Sequence, residues 1–381
     1  MRRVALIFLC LILLSSCTLG SYPTKAQIDI TNTSGVLLSS DMFNDKGSVV
    51  DIRQRTKDDV YLNIKARDLG HFSSLDKNSF FLAAGDRSDD LWKVAKSGNI
   101  EKIRTDFLPP NTGFTAIEIM PDGSIVAALN KGRGSSNKYE DTIVSFNLDR
   151  SINWKRIVPL YVGSMKVTQK GIFLAGGYTN FSARDYNDIE SVPAAMYLNA
   201  KDGSVIWKKI YSDTLEPAIL GSCDFFSQSS LVCSLLPNDK TVNVKIELKD
   251  GSLTVLRDNG DTYTGSQSIQ CHNQLYQYDL TRPELYIFDD LHLLKTVLDV
   301  SKYTNQNFVI FQAFCYQDRL NLIALPPPDI LSTNKHKLYP LYRIQLINGP
   351  VVKKVDSYDL DFVRLPSYNA YIPGEWFSQT P

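Results

Sequence analysis

Gly171-Ile-Phe-Leu-Ala-Gly-Gly177 is a short apolar run closed by small residues, and the chain repeats its like five more times. Ser79-Phe-Phe-Leu-Ala-Ala-Gly85 and Ser124-Ile-Val-Ala-Ala-Leu-Asn130 precede it. Leu231-Val-Cys-Ser-Leu-Leu-Pro237, Leu275-Tyr-Gln-Tyr-Asp-Leu280 and Leu320-Asn-Leu-Ile-Ala-Leu-Pro326 follow. The starts lie 45, 47, 60, 44 and 45 residues apart. Runs of this length, with no sustained helical periodicity around them, read as buried strands. A period near 45 residues built from strands alone is the mark of a β-propeller, four strands to a blade.

Working outward, each run is followed by a loop and a second alternating strand, as in Thr142-Ile-Val-Ser-Phe-Asn-Leu148 or Val242-Asn-Val-Lys-Ile-Glu-Leu248. A tight turn comes next: Lys96-Ser-Gly-Asn99, Lys201-Asp-Gly-Ser204 or Lys249-Asp-Gly-Ser252. Glycine supplies the positive φ such turns need. The outer strand mixes apolar and basic residues with period two, as in Ile152-Asn-Trp-Lys-Arg-Ile157, Val205-Ile-Trp-Lys-Lys-Ile210 and Val351-Val-Lys-Lys-Val355. That pattern suits a half-exposed edge.

Six complete blades run from about Leu69 to Tyr358. At the ends, Asp361-Phe-Val-Arg-Leu365 and Tyr368-Asn-Ala-Tyr-Ile-Pro373 read as the first two strands of one more blade. Val49-Val-Asp-Ile-Arg-Gln54 and Val60-Tyr-Leu-Asn-Ile-Lys65 read as its last two. An open ring exposes strand edges, so a seventh blade shared by the two ends is the expected closure. Six blades with stray end strands, or eight, are the alternatives. The fold class is all-β, one propeller domain over 48–381.

Tyr197-Leu-Asn-Ala-Lys-Asp-Gly-Ser-Val-Ile-Trp-Lys-Lys209 resembles the quinoprotein-type propeller repeat, in which an Asp-Gly turn is followed by a strand carrying Trp. With Gly171–Gly177 before it, the segment also resembles the β-propeller repeats of bacterial envelope proteins. Asp149-Arg-Ser-Ile-Asn-Trp154 matches in part. This resemblance implies the architecture and gives Trp154 and Trp207 a structural role, without naming a substrate.

The N-terminus carries a second signal. Arg2 and Arg3 precede an apolar run, Val4 to Leu14, which ends in Leu14-Ser-Ser-Cys17. This is the layout of a secretory signal peptide, and it is shorter than the ~20 apolar residues a permanent span requires. Leu14–Cys17 resembles the lipobox of bacterial lipoproteins. The resemblance implies cleavage before Cys17 and acylation of that residue. Thr18, in place of the Asp that retains enterobacterial lipoproteins at the inner membrane, implies the outer membrane. Segments 1–16, 17–47 and 48–381 are then signal peptide, lipidated leader and propeller. Lipobox, length and repeats together are similar to the propeller lipoproteins of the outer-membrane barrel-assembly machinery, from which this chain departs by carrying the turn–Trp motif in few blades.

Loss of Arg2 and Arg3 turns 41 basic against 41 acidic side chains into 39 against 41. That balance argues against nucleic acid, or an anionic lipid surface, as the main partner. Besides Cys17, four cysteines follow the leader, an even count suited to an oxidising compartment. Four cysteines allow three pairings; Cys223–Cys233 is preferred because the two face across what reads as one hairpin, and Cys271–Cys315 would then follow by elimination.

Three loops between second and third strands are long: Asn130–Asp141, Thr179–Pro193 and Pro326–Pro340. In a propeller these share one face, and long loops on a rigid frame carry recognition. The candidate partner-binding residues are Arg133, Lys138, Tyr139, Asn180, Phe181, Arg184, Tyr186, Lys335, His336 and Lys337. Chemistry is sparsely marked. His71, His272, His292 and His336 are scattered, no zinc spacing or nucleophile elbow occurs, and Asp258-Asn-Gly-Asp261 reads as a turn. No metal and no cofactor are expected. The leading reading is a non-enzymatic scaffold for an envelope protein; the alternative is an enzyme or glycan-binding module at the mouth of the central channel.

Overall fold

The computed structural model describes residues 24–31, 33–40, 47–51, 61–66, 69–75, 78–85, 90–110, 112–133, 139–179, 191–212, 219–236, 242–256, 267–280, 282–288, 294–304, 308–327, 338–361 and 370–377. The strands appear in the order β1 (Lys25–Gln27), β2 (Gly35–Ser40), β3 (Gly47–Asp51), β4 (Tyr61–Ile64), then β5 (Leu69–Ser73), β6 (Phe80–Gly85), β7 (Leu91–Ala95), β8 (Asn99–Ile103) as blade 1. Blade 2 is β9 (Gly113–Ile119), β10 (Ile125–Arg133), β11 (Tyr139–Phe146), β12 (Ile152–Val158). Blade 3 is β13 (Tyr161–Val167), β14 (Gly171–Thr179), β15 (Ser191–Asn199), β16 (Val205–Ile210). Blade 4 is β17 (Ile219–Ser227), β18 (Ser230–Leu236), β19 (Val242–Glu247), β20 (Leu253–Val255). Blade 5 is β21 (Gln267–Cys271), β22 (Gln274–Tyr278), β23 (Glu284–Phe288), β24 (Leu294–Asp299). Blade 6 is β25 (Val309–Tyr316), β26 (Arg319–Leu325), β27 (Leu338–Ile347), β28 (Val351–Asp361), after which β29 (Ala370–Pro373) and the short helix α1 (Gly374–Phe377) end the described chain.

Each blade is an antiparallel meander, and the repeated apolar runs are the second strands. They are buried because blades pack on both of their faces: β6 is buried at every position, and Ile125–Leu129 and Ile172–Ala175 are sealed from solvent. The seventh sheet runs β29-β2-β3-β4. It joins the chain's ends, in a different share from that read in the sequence: one C-terminal strand and three N-terminal ones. The sequence pattern places Gly35-Val-Leu-Leu-Ser-Ser40 in the leader because a strand covered on both faces shows no alternation. Tyr371 and Ile372 of β29 pair with Leu37 and Val36. Asp361 ends β28, and 362–369 lie outside the described residues.

The leader is further shortened by β1, which adds to the outer edge of blade 1 as a fifth strand, pairing Lys25–Gln27 with Glu101–Asn99. The folded domain thus begins well before residue 48.

Blade-to-blade docking follows the turn–Trp motif. Trp154 of β12 donates its Nε1–H to Ala200 O at 3.0 Å, and Trp207 of β16 donates to Leu248 O at 2.8 Å, each in the last turn of the next blade. Both indoles lie against the turn glycine: a Cβ on Gly203 would come within 2.5 Å of Trp154 and one on Gly251 within 2.8 Å of Trp207. These glycines are needed twice over, for φ of 66° and 70° and for the ring above them. Blade 2 has Arg150 at the matching position, φ 75°, where blade 1 offers no Trp and a side chain fits.

The two disulfides are Cys223–Cys233, opposed across β17–β18, and Cys271–Cys315, which joins the innermost strands of blades 5 and 6. The second closes a loop of 44 residues, worth about 4 kcal/mol in a chain-entropy account.

The tail locks the ring. Trp376 and Phe377 are buried in the core shared by blade 1, blade 6 and the closing sheet, with Lys96 of blade 1 over the indole at 5.7 Å. Arg343 of β27, almost wholly buried, donates to both carboxylate oxygens of Glu375 at 2.8 Å and to Asn321 Oδ1 at 3.0 Å. Tyr316 OH donates to Glu375 O. Among the described residues no helix is long and apolar enough to cross a membrane.

Trp376→Ala should destabilise the whole propeller by about 3–5 kcal/mol, read as a single shifted denaturant transition. A separate early transition confined to the closing sheet would contradict this account of the lock. Replacing Cys271 and Cys315 together by Ser should lower the midpoint more than replacing Cys223 and Cys233, because the longer loop loses more closure entropy.

Candidate functional site

The innermost strands β5, β9, β13, β17, β21, β25 and β29 line the central channel, and each leaves one edge without a strand partner. Side chains from the neighbouring blade fill that need. Ser73 Oγ accepts from Ile119 N at 2.9 Å, Ser164 Oγ from Cys223 N at 3.1 Å and Ser222 Oγ from Ser268 N at 3.2 Å. Asp224 Oδ2 accepts from Gln270 N at 2.6 Å, and Gln312 Oε1 from Tyr371 N at 2.7 Å. An unpaired buried N–H is costly, so polar residues on these strands are structural requirements of the ring.

A charged cluster sits in the same wall. Ser73 Oγ donates to Glu118 Oε2 at 3.2 Å, and Lys166 Nζ lies 3.7 Å from Asp224 Oδ1. Burial pushes the Glu118 carboxyl up, with Lys166 and Ser73 opposing it. For Lys166, burial works against the charge, but Asp224 and Glu118 together outweigh it and raise its pKa. One lysine therefore pairs with Asp224 of blade 4 and lies in the field of Glu118 of blade 2. Next to them is a cavity of about 270 Å³, lined by His71, Thr115, Glu118, Ser164, Lys166, Ser222 and Gln267.

Asp141, at the start of β11, stands behind Thr115. Its Oδ2 accepts from Val162 N at 2.7 Å and from Thr115 Oγ1 at 3.4 Å, while Oδ1 has no hydrogen-bond partner. Burial dominates, and the carboxyl is pushed up to about 7. Its unfolded counterpart titrates near 3.8, so the native state holds the proton over the interval between.

The long hairpins are partly strand. β10 and β11 continue to the pair Arg133–Tyr139, and β14 and β15 to Thr179–Ser191. β27 starts at Leu338. Arg133 and Tyr139 thus face each other at the head of a two-stranded ladder. Lys138, Asn180, Phe181, Arg184, Tyr186, Lys335, His336 and Lys337 lie outside the described residues, as do Cys17 and Asp258–Asp261. No group of three or more His, Cys, Asp or Glu among the described residues is placed to hold a metal ion. Glu118, Lys166, Asp224 and Asp141 were not singled out in the sequence. The signal available was a charged residue in the C-terminal half of an innermost strand in blades 2, 3 and 4.

No protein family matches the chain, and no curated protein does. Solved structures similar to it include virginiamycin B lyase from Staphylococcus aureus, at 9% identity and TM-score 0.50 over 77% of this chain and 84% of that one. A protein of unknown function from Bacteroides caccae gives 11% identity and TM-score 0.48 over 90% and 99%. BamB from Moraxella catarrhalis gives 9% and 0.42 over 80% and 96%. At these identities the likeness is one of fold, the β-propeller.

Asp141→Asn keeps an acceptor for Val162 N and removes the titration. Because the native pKa is raised, the acid's favourable contribution is full below about pH 4 and lost as pH rises through about 7. The variant's stability advantage over wild type should therefore widen between about pH 4 and 7 and level off above, reaching on the order of 4 kcal/mol. Denaturant midpoints across that range check it; a constant difference would refute the shifted titration.

Proposed function

We propose that this protein is an outer-membrane-anchored lipoprotein facing the periplasm, acylated at Cys17, whose propeller is a non-enzymatic scaffold for another envelope protein. The observation that carries the scaffold reading is the placement of the long hairpins. β10–β11, β14–β15 and β26–β27 all join second to third strands, which puts these three junctions on one face of the ring. The ladders of the first two run out to the pairs Arg133–Tyr139 and Thr179–Ser191. Arg133, Lys138, Tyr139, Asn180, Phe181, Arg184, Tyr186, Lys335, His336 and Lys337 are the contacts assigned to that face.

The channel fits a structural role. Asp224 already accepts from Gln270 N and Phe225 N and lies beside Lys166, while Glu118 accepts from Ser73. Hydrogen-bonding capacity consumed by neighbouring strands is not offered to a substrate. The second reading, a small polar ligand bound in the channel, is favoured by the cavity that Lys166 and Glu118 line.

Mass spectrometry of the N-terminal peptide from membranes should find Cys17 acylated and residues 1–16 absent. Crosslinking in intact cells should recover a protein through the hairpin face. Replacing 134–138 and 181–189 by Gly-Ser linkers should lower that recovery about tenfold or more, equivalent to ~1.4 kcal/mol, with the melting transition unchanged. Undiminished recovery would sink the hairpin face as the site, and sugar binding lost in Lys166→Met would favour the channel reading instead.

A further inference from the structure

The outer strands of blades 2 and 3 are unlike the rest of the rim. Of eleven exposed large apolar side chains among the described residues, five lie on these two neighbouring strands: Ile152 and Ile157 on β12, Val205, Ile206 and Ile210 on β16. Ile157 is 61% exposed and Ile206 50%. Between them stand Lys155, Arg156, Lys208 and Lys209, and neither strand contains an acid. Asp202 and Asp250 sit in adjoining turns close enough to Arg156 and Lys209 to feel their charge. Lys208 lies over the Tyr178 ring. Among the described residues both strands end their sheets with no further strand on them, whereas the edge of blade 1 is covered by β1. The overall charge balance conceals this local excess of cations.

The path of the N-terminus leads to the same place. Thr24 O accepts from Lys102 N at 2.8 Å, next to the end of β8. The chain beyond β8 reaches blade 2, where Asp106 pairs with Arg150 at 3.4 Å. The described chain therefore begins at the outer edge of blade 1, the blade next to blade 2. From Thr24 back to Cys17 is seven peptide steps, at most about 25 Å when fully extended. A lipid on Cys17 is therefore tethered within that reach of the outer edge of blade 1, the neighbour of blade 2.

We infer that the rim of blades 2 and 3 is the surface this protein lays on the bilayer that holds its lipid. The inference rests on acylation of Cys17, and it adds an orientation. Exposed Ile and Val enter the boundary between headgroups and chains, and Lys155, Arg156, Lys208 and Lys209 meet anionic headgroups, the arrangement of an interfacial amphipathic surface. The ring then stands edge-on to the membrane. Its channel and hairpin face open sideways, along the bilayer rather than into it.

The test separates orientation from natural acylation. Chain 17–381, whose other cysteines are in disulfides, is coupled through Cys17 to a maleimide lipid in vesicles of phosphatidylcholine and phosphatidylglycerol. A benzophenone amino acid is placed at Ile157, Ile206 or Val351. Val351 is 59% exposed on the outer strand of blade 6, across the ring of seven sheets from the blade 2–3 seam. Lipid adducts should form several-fold more at 157 and 206 than at 351, and the bias should fall in K155E/K209E. Equal yields at all three positions would overturn the inference. So would a discrete protein adduct at 157 or 206 in cells, which would mark these edges as sites of strand addition by a partner.

Discussion

Every innermost strand of this ring has one edge with no strand to pair with, and the molecule is organised around satisfying it. The donors are filled from the adjacent blade, as when Ser73 accepts from Ile119 N and Asp224 from Gln270 N, each one repeat of 46 residues away. These bonds tie neighbouring blades together where their inner strands approach, so the blades depend on one another. They also explain why the channel wall is polar although the blades are apolar. Serine, aspartate and glutamine are there to complete backbone hydrogen bonds in a place water reaches poorly. Lys166, held between Glu118 and Asp224, extends the scheme from neutral groups to charges. Its position is stable because the two carboxylates compensate its burial.

The outer half of the ring uses a different device. Trp154 and Trp207 give each turn carbonyl a donor and each turn glycine a lid. Where the motif lapses, at blades 1 and 2, an exposed ion pair between Arg150 and Asp106 and an edge-to-face contact of Phe107 with Phe146 stand in. Closure is different again. It depends on β29, on Arg343 gripping Glu375 and on Trp376 sunk between blade 1 and blade 6. The ends of the chain are held by deep burial because no repeat unit is available to complete the last sheet.

This closure changes the mechanics of attachment. A leader of some thirty residues would let the ring turn freely above a membrane. With β1 on the edge of blade 1 and β2 inside the closing sheet, only a short segment separates Cys17 from the folded body. On the proposed acylation of Cys17, attachment would constrain orientation as well as distance.

The repeat period, the blade meander, the shared closing sheet and the disulfide hairpin were legible in the sequence. Each depends on short-range patterning: apolar runs of fixed spacing, Asp-Gly turns, cysteines facing across a tight hairpin. The strands at the ends were less so. Gly35–Ser40 belongs to no repeat unit and has no alternation, and Lys25–Gln27 is too short and too polar to announce itself. The tertiary structure alone decided which strands complete the ring. It also decided that Glu118, Lys166 and Asp224, from three blades, meet in the channel wall and that Asp141 is buried beside it. The physical reason is that a strand's pattern records which of its faces are covered, whereas charges from different repeats come together only when the ring closes and sets the distance between blades.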